Sequence, residues 1–172
     1  TGLVPNSPPA EADGERVLGL FLNTLPLRYR LDGDVSWRQL VEGAFAAEQA
    51  LLPHRRYPLS RLQRERGGAA LFETAFNFNH FHVYQGLGGQ DEVEVSDAEI
   101  FEYTNFTLMT NFDLEPEQGS LTLRLNYDSA QLDPDQVCQL GDYYERALSA
   151  LLADPDSAVG SAALLARVER ER

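Results

Sequence analysis

Few side chains in this sequence stand at spacings that chemistry could use, and each has a plainer reading beside the reactive one. His80 and His82 are two apart in a stretch with strand character, so they share a face, as a metal-ligand pair would. His54 is the only other histidine, no cysteine lies near the pair, and Phe76, Phe78 and Tyr84 fall on the same face. That face reads as aromatic packing or channel lining, and no metal site is assigned. The run RRYPLSRLQRER, residues 55–66, could be a phosphate-binding stripe, a docking surface for an acidic partner or a solvated helix face. Cys138 lies beside the core stripe of a helix with no base next to it, and reads as a small packing residue. No phosphate-binding loop, dinucleotide fingerprint or nucleophile elbow is present, so no catalytic residue is assigned. The remaining oddity is polar. In GLFLNTLPLR, residues 19–28, Asn23 and Thr24 interrupt an otherwise apolar stretch. An unpaired amide in an apolar interior costs on the order of a few kcal/mol, so Asn23 must find backbone, a ligand or a neighbouring subunit.

Elements of a layered α/β domain must position these groups. Val17 to Leu31 reads as a strand covered on both faces, with Pro26 at an edge or a bulge. Asp32-Gly33-Asp34 makes a turn. Ser36 with Gln39 is a capping-box pattern, and Trp37, Leu40, Val41, Ala44, Phe45, Leu51 and Leu52 recur at helical spacing up to Pro53. A turn, a short basic helix and a Gly-Gly stop follow, then an aromatic-rich strand in 71–84. Residues 86–92 are a Gly-rich loop, and VEVSDAEIFEY offers short strand character. Better strands occupy 105–114 and 120–128, the second with Leu121, Leu123, Leu125 and Tyr127 on one face. Asp133 as N-cap and Pro134 at the first helical position open a helix striped by Val137, Leu140, Tyr144, Leu148, Leu151 and Leu152, which stops at Asp154-Pro155. The strands near 18–30, 72–82, 105–114 and 120–128 are expected in one mixed sheet, with both long helices packed on it.

Composition bounds the setting. With 172 residues and 43% hydrophobic residues, the chain can bury a core as one domain or a large part of one. The 14 basic residues, all arginine, against 27 acidic ones leave a net charge of -13. Nucleic acid and anionic membranes are therefore not expected as partners. A single cysteine excludes an internal disulfide and fits a reducing cytosol, and no apolar run reaches the roughly 20 residues of a membrane helix. Thr1 is not an initiator Met and the opening residues are Pro-rich, so the chain reads as a piece of something larger.

The order of these segments resembles the C-terminal part of a condensation domain of nonribosomal peptide synthetases. Gly19, Phe21, Asn23, Thr24, Leu25, Pro26 and Arg28 fit that family's G-x-F-x-N-T-x-P-x-R strand. His54, Tyr57 and Pro58 fit its H-x-x-Y-P turn, and Leu71 and Phe72 fit the end of its N-P-L-F motif. Ala69-Ala70 replace the usual Asn-Pro, and Arg55-Arg56 replace the common Gln-Asp. The resemblance covers nearly all of this chain and somewhat under half of such a domain. It divides the chain into an irregular loop at 1–16, a C-terminal lobe at 17–155 with a latch-like arm at 85–104, and a segment at 156–172 that leads to an interdomain linker.

The resemblance implies an α/β fold, half of a chloramphenicol-acetyltransferase-like pair of lobes. The activity it implies is amide-bond formation between substrates tethered to donor and acceptor peptidyl carrier proteins. The phosphopantetheine arms of those carriers would enter a tunnel between the lobes, with no cofactor bound directly. The N-terminal lobe and an adjacent adenylation domain are the other implied partners. The family's His-His-x-x-x-Asp-Gly motif belongs to the other lobe, and no two histidines are adjacent here. The present chain would then form a tunnel wall, with Asn23, Thr24 and Asn79 as the substrate-facing residues. For Asn23 the alternative is a structural bond to backbone at a bulge near Pro26. Gly19, Phe21, Pro26, Arg28, Tyr57, Pro58, Leu71 and Phe72 would be structural, with Arg28 pairing a core carboxylate. Epimerization and heterocyclization domains share this fold, and a non-catalytic carrier-docking relative is a further reading. Taken alone, the arm would be mobile or exchanged with a second copy to make a dimer.

Overall fold

The computed structural model describes residues 1–5, 22–80, 104–115 and 119–165, and in them one mixed sheet organises the chain. Its strands are β1 (Gly2–Leu3), β2 (Leu25–Pro26), β3 (Thr74–His80), β4 (Leu108–Glu115) and β5 (Ser120–Tyr127), in the order β2-β1-β3-β4-β5. β1 runs parallel to β3 and β3 parallel to β4, while β1/β2 and β4/β5 are antiparallel. The sheet expected from the sequence is present, with two corrections. Gly2 and Leu3, read as part of an irregular loop, form a strand inside the sheet. The long strand expected over 17–31 shrinks, within the described residues, to Leu25–Pro26. Pro26 cannot donate to a ladder, so it sits on the sheet's edge, paired with Gly2. Gly2 is tightly placed, because a Cβ there would strike the Phe72 ring and come within 2.7 Å of Thr24 Cγ2.

Alternation along β3, β4 and β5 gives the sheet two unlike faces. Phe76, Phe112, Leu123 and Leu125 lie on one face, and α3 (Pro134–Ala153) covers it. Tyr144 packs edge-on against Phe112 at 5.8 Å, its hydroxyl 3.2 Å from Thr110 Oγ1, and Phe76 meets Phe112 from the other side. Ala75, Asn77 and Asn79 of β3, Asn111 and Asp113 of β4, and Arg124 and Asn126 of β5 share the opposite face. Asp133 caps α3 as read, accepting from Asp135 N, and Gln136 closes a capping box that the sequence reading did not name. Cys138, expected to pack, is exposed. Leu148 and Leu152 of the predicted stripe are also exposed.

The helix α1 (Trp37–Leu51) starts at the predicted box, with Ser36 Oγ accepting from Gln39 N and Gln39 Oε1 accepting from Ser36 N. Its anchoring departs from expectation. Trp37 is buried, but Val41 and Phe45, placed on the buried stripe by their spacing, are 50% and 60% exposed. The helix is held instead at its N-terminus by the segment after α3. Trp37 N donates to Ser157 O and Arg38 N to Pro155 O, so chain carbonyls satisfy two donors that a helix start leaves open. Ser36 and Ala158 form an antiparallel bridge, Val159 N donates to Val35 O and Gly160 N to Gly33 O. Arg38 grips Asp156 with two hydrogen bonds, at 2.8 and 3.2 Å. Among the described residues no helix is long and apolar enough to cross a membrane.

This strap depends on backbone contact, which gives a test. A Cβ on Gly160 would lie 2.8 Å from the Gly33 carbonyl oxygen. Gly160→Ala is expected to cost about 1–3 kcal/mol, as overpacking does, and to lower the urea midpoint with the denaturant slope unchanged. An unchanged midpoint would mean that the two glycines do not meet.

Candidate functional site

Asn23 spends both of its side-chain N–H bonds on one turn. Nδ2 donates to Arg55 O at 2.9 Å and to Tyr57 O at 2.7 Å, carbonyls from the turn that opens α2 (Leu59–Glu65). The amide therefore finds backbone, though in the 54–58 turn and not at a bulge beside Pro26. Thr24, next to it, packs its methyl toward Gly2. The turn is tightened locally by Tyr57 N bonding His54 O, and Pro58 supplies the extended residue that caps α2. At the far end Gly67 and Gly68 take φ of 81° and 84°, the left-handed conformation that stops the helix.

Near this clasp lie the described residues Pro26, Leu71 and Phe72. Leu71 and Phe72 line a groove of about 500 Å³ together with Leu27, Leu62 and Pro26. Phe72 also stacks on Phe106 at 5.6 Å. Arg28 does not pair with a core carboxylate: it is exposed on the rim of this groove, with no ion pair among the described residues. Gly19 and Phe21 lie outside the described residues, as do His82 and all of the arm at 85–104 but Thr104. His54 is exposed in its turn, and Phe78 is half exposed.

Among the described residues Arg61 is the one arginine of the basic run in an ion pair, and Arg64 Nε donates to Ser60 O. Tyr57 Oη donates to Glu65 Oε1 at 2.6 Å, Arg61 reaches the same oxygen at 3.3 Å, and the Arg61 guanidinium lies over the Tyr57 ring. The bond to Glu65 raises the Tyr57 phenol above the ordinary tyrosine range, and the same bond, with Arg61 helping, holds the Glu65 carboxyl below its ordinary value. The short basic helix thus stiffens its own turn.

Asn79 belongs to a second group, which shares no partner with Asn23. On the sheet face away from α3, five side chains join by hydrogen bonds. Asn79 Nδ2 donates to Asp113 Oδ1 at 2.8 Å. Asn77 Nδ2 donates to Asn79 Oδ1 at 3.0 Å and to Asn111 Oδ1 at 3.1 Å. Asn111 Nδ2 donates to Asn126 Oδ1 at 3.1 Å. Asn111 is 0% exposed. Asp113 Oδ2 is buried and makes no directed hydrogen bond, but the Arg124 guanidinium stands 3.1 Å away and balances its charge. The sequence reading singled out Asn79 alone. The missed signal is a period-two polar set inside apolar strands: Asn77 and Asn79, Asn111 and Asp113, Arg124 and Asn126. At one end the ladder meets a polar groove of about 650 Å³, lined by Thr104, Asn105, Asn126, Tyr127, Asp128 and Ser129 among others.

Comparison with known proteins places this arrangement. The family model described as Condensation domain matches residues 4–172. AMB antimetabolite synthetase AmbE of Pseudomonas aeruginosa is 33% identical over 161 residues, covering 90% of this chain and 7% of that protein. Tyrocidine synthase 3 of Brevibacillus parabrevis is 27% identical over 172 residues, 94% of this chain and 2% of that protein. Among solved structures, the starter condensation domain of rhizomide synthetase RzmA superposes with a TM-score of 0.72 at 22% identity, over 96% of this chain and 39% of that one. Holo-AB3403, a four-domain nonribosomal peptide synthetase bound to AMP and glycine, superposes with a TM-score of 0.79 at 14% identity, over 98% and 14%. The structural likeness is one of fold, and the chain spans a small share of the synthetases it matches.

Two measurements check the clasp. Asn23→Ala leaves two part-buried carbonyls without donors and is expected to cost about 1–3 kcal/mol in urea unfolding, with Asn23→Asp costing more, because a carboxylate would face the same two carbonyls. By ultraviolet titration Tyr57 is expected to ionise above the ordinary tyrosine range, and Glu65→Ala to bring it down, since the phenol loses its acceptor while Arg61 remains. Stability equal to wild type in both Asn23 variants would remove the clasp from the account.

Proposed function

This chain belongs to the condensation-domain family, and from that premise we propose that it is the C-terminal lobe of a domain that joins carrier-tethered donor and acceptor substrates through an amide bond. The acceptor amine attacks the donor thioester carbonyl, the C–S bond breaks, and the thiol leaves on the donor arm while the amine loses a proton. The family match across residues 4–172 carries the reading. The resemblance between segment order and the family's late motifs supports it.

In this reading the chain's work is positioning. Holding two tethered reactants in line can remove about 7–11 kcal/mol of barrier, and a wall of fixed, mutually bonded side chains suits that work. The clasp of Asn23 supports a structural part for the first two motifs, and the ladder containing Asn79 is the wall that substrates would meet. No adjacent histidine pair occurs in the 172 residues, so the group that takes the proton comes from the N-terminal lobe. Donor and acceptor peptidyl carrier proteins and an adjacent adenylation domain are the remaining partners. Phosphopantetheine arrives on the carriers as part of the substrates.

The reading is tested with carrier proteins loaded with a donor acyl group and an acceptor amino acid. Intact-protein mass spectrometry is expected to find the amide product when the whole domain is supplied, and none above background with the 172-residue chain alone. Product from the chain alone would overturn the assignment of proton transfer to the other lobe, and none from the whole domain would overturn the reaction.

A further inference from the structure

The ladder on the polar sheet face has a direction, and one residue sets it. A carboxamide can turn either its oxygen or its nitrogen toward a neighbour, whereas a carboxylate only accepts. Asp113, charge-balanced by Arg124, is the one carboxylate in the ladder. Asn79 must therefore give Asp113 its N–H₂ group, which leaves Asn79 Oδ1 as the acceptor for Asn77. Asn77 Nδ2 serves two acceptors, Asn79 Oδ1 and Asn111 Oδ1. With its oxygen so engaged, Asn111 offers nitrogen to Asn126, and Asn126 accepts with Oδ1. Each choice is forced by the one before it. At the end of the series stands Asn126 Nδ2, two donors with no partner among the described residues, on a residue that lines the 650 Å³ groove.

The groove's other groups narrow what those donors would meet. Among the described residues Asp128 is its one charged lining residue, and both its oxygens are committed, Oδ1 to Ala130 N at 2.9 Å and Oδ2 to Gln131 Nε2 at 2.7 Å. Those bonds, Gln131 first, hold its carboxyl below the ordinary range. Thr104 Oγ1 accepts from Phe106 N. A fixed negative charge repels an anion, the described lining residues offer no cation, and Phe106, Leu125 and Tyr127 supply apolar wall. We propose that this groove binds a neutral chain bearing amide carbonyls, with Asn126 Nδ2 donating to a carbonyl oxygen and Asp113, four side chains away through the hydrogen bonds, fixing the donor outward. Asn126 is the contact and specificity-determining residue, and Asp113 is a positioning residue. The proposal rests on the proposed function for the identity of that chain, because a tether amide and a peptidyl substrate both carry such carbonyls.

The test reads binding, which needs no amide synthesis, so it can fail while the condensation assay succeeds, and the reverse. The intact chain, labelled with ¹⁵N, is titrated with pantetheine in one arm and with an N-acetyl amino acid methylamide in the other. The Asn126 side-chain amide signals are expected to shift with at least one probe, and the arm that binds identifies the source. Asn126→Asp keeps the oxygen that Asn111 needs and removes the outward donors, so it is expected to weaken binding about tenfold with the fold retained. Asp113→Asn lets the series run in either sense and is expected to weaken binding by about two- to fivefold, with altered side-chain amide shifts at Asn79, Asn77 and Asn111. Should Asp113→Asn fail to fold, Asn126→Asp alone decides. Binding equal to wild type in Asn126→Asp, or no shift at Asn126 with either probe, would overturn the proposal.

Discussion

A sheet that buries carboxamides on one face has to close their hydrogen bonds inside itself, and that requirement governs the centre of this molecule. Asn111 on β4 sits between the two neighbouring strands with no exposure, so water cannot serve it. Leaving one such group unmet would cost about 1–3 kcal/mol, comparable to a large share of a domain's net stability. The register that puts Asn77 beside Asn111 and Asn79 beside Asp113 is thereby selected twice. The apolar face selects it by packing Phe76 on Phe112, and the polar face selects it by closing the ladder. A slip of one residue would bury phenylalanine among carboxamides and carry the asparagines under α3.

The same logic operates at smaller scale in the clasp. Asn23 lies in a stretch with hardly any ladder of its own, and its amide bonds the carbonyls of a turn more than thirty residues away. Those bonds hold the edge of the sheet against the start of α2, and Tyr57, Arg61 and Glu65 brace the turn from outside. Two family motifs far apart in the chain are one structural unit.

What the sequence made legible was local. The capping box at Ser36, the N-cap at Asp133, the Gly67-Gly68 stop and the pleat of β5 follow from groups within a few residues of one another, and they stand where they were read. What escaped was non-local. The expected strand over 17–31 was judged by apolar content; within its described residues the pairing is confined to a short edge in which Pro26 stands as read, and Asn23 is drawn to the turn. Arg28 was given a core carboxylate on the resemblance, and it lies at the surface. Along 74–80 the aromatic residues dominated the reading; Asn79 was named but Asn77 was missed, because its partner on β4 is 34 residues away. The exposed Val41 and Phe45 show the limit of periodicity, which identifies a face without saying what covers it.

The strap after α3 gives the fold a mechanical character. Its hydrogen bonds to residues 33–38 run between antiparallel segments, with Arg38 and Asp156 pinning one end. A pull along the chain at Leu165 loads these bonds in shear, several at once, where a peeling force would break them one by one. Arg146, bonded to the Leu164 carbonyl at 2.7 Å, fastens the outgoing end to α3. Tension at that end therefore moves the start of α1 and the body of α3 together, as a handle moves what it is riveted to.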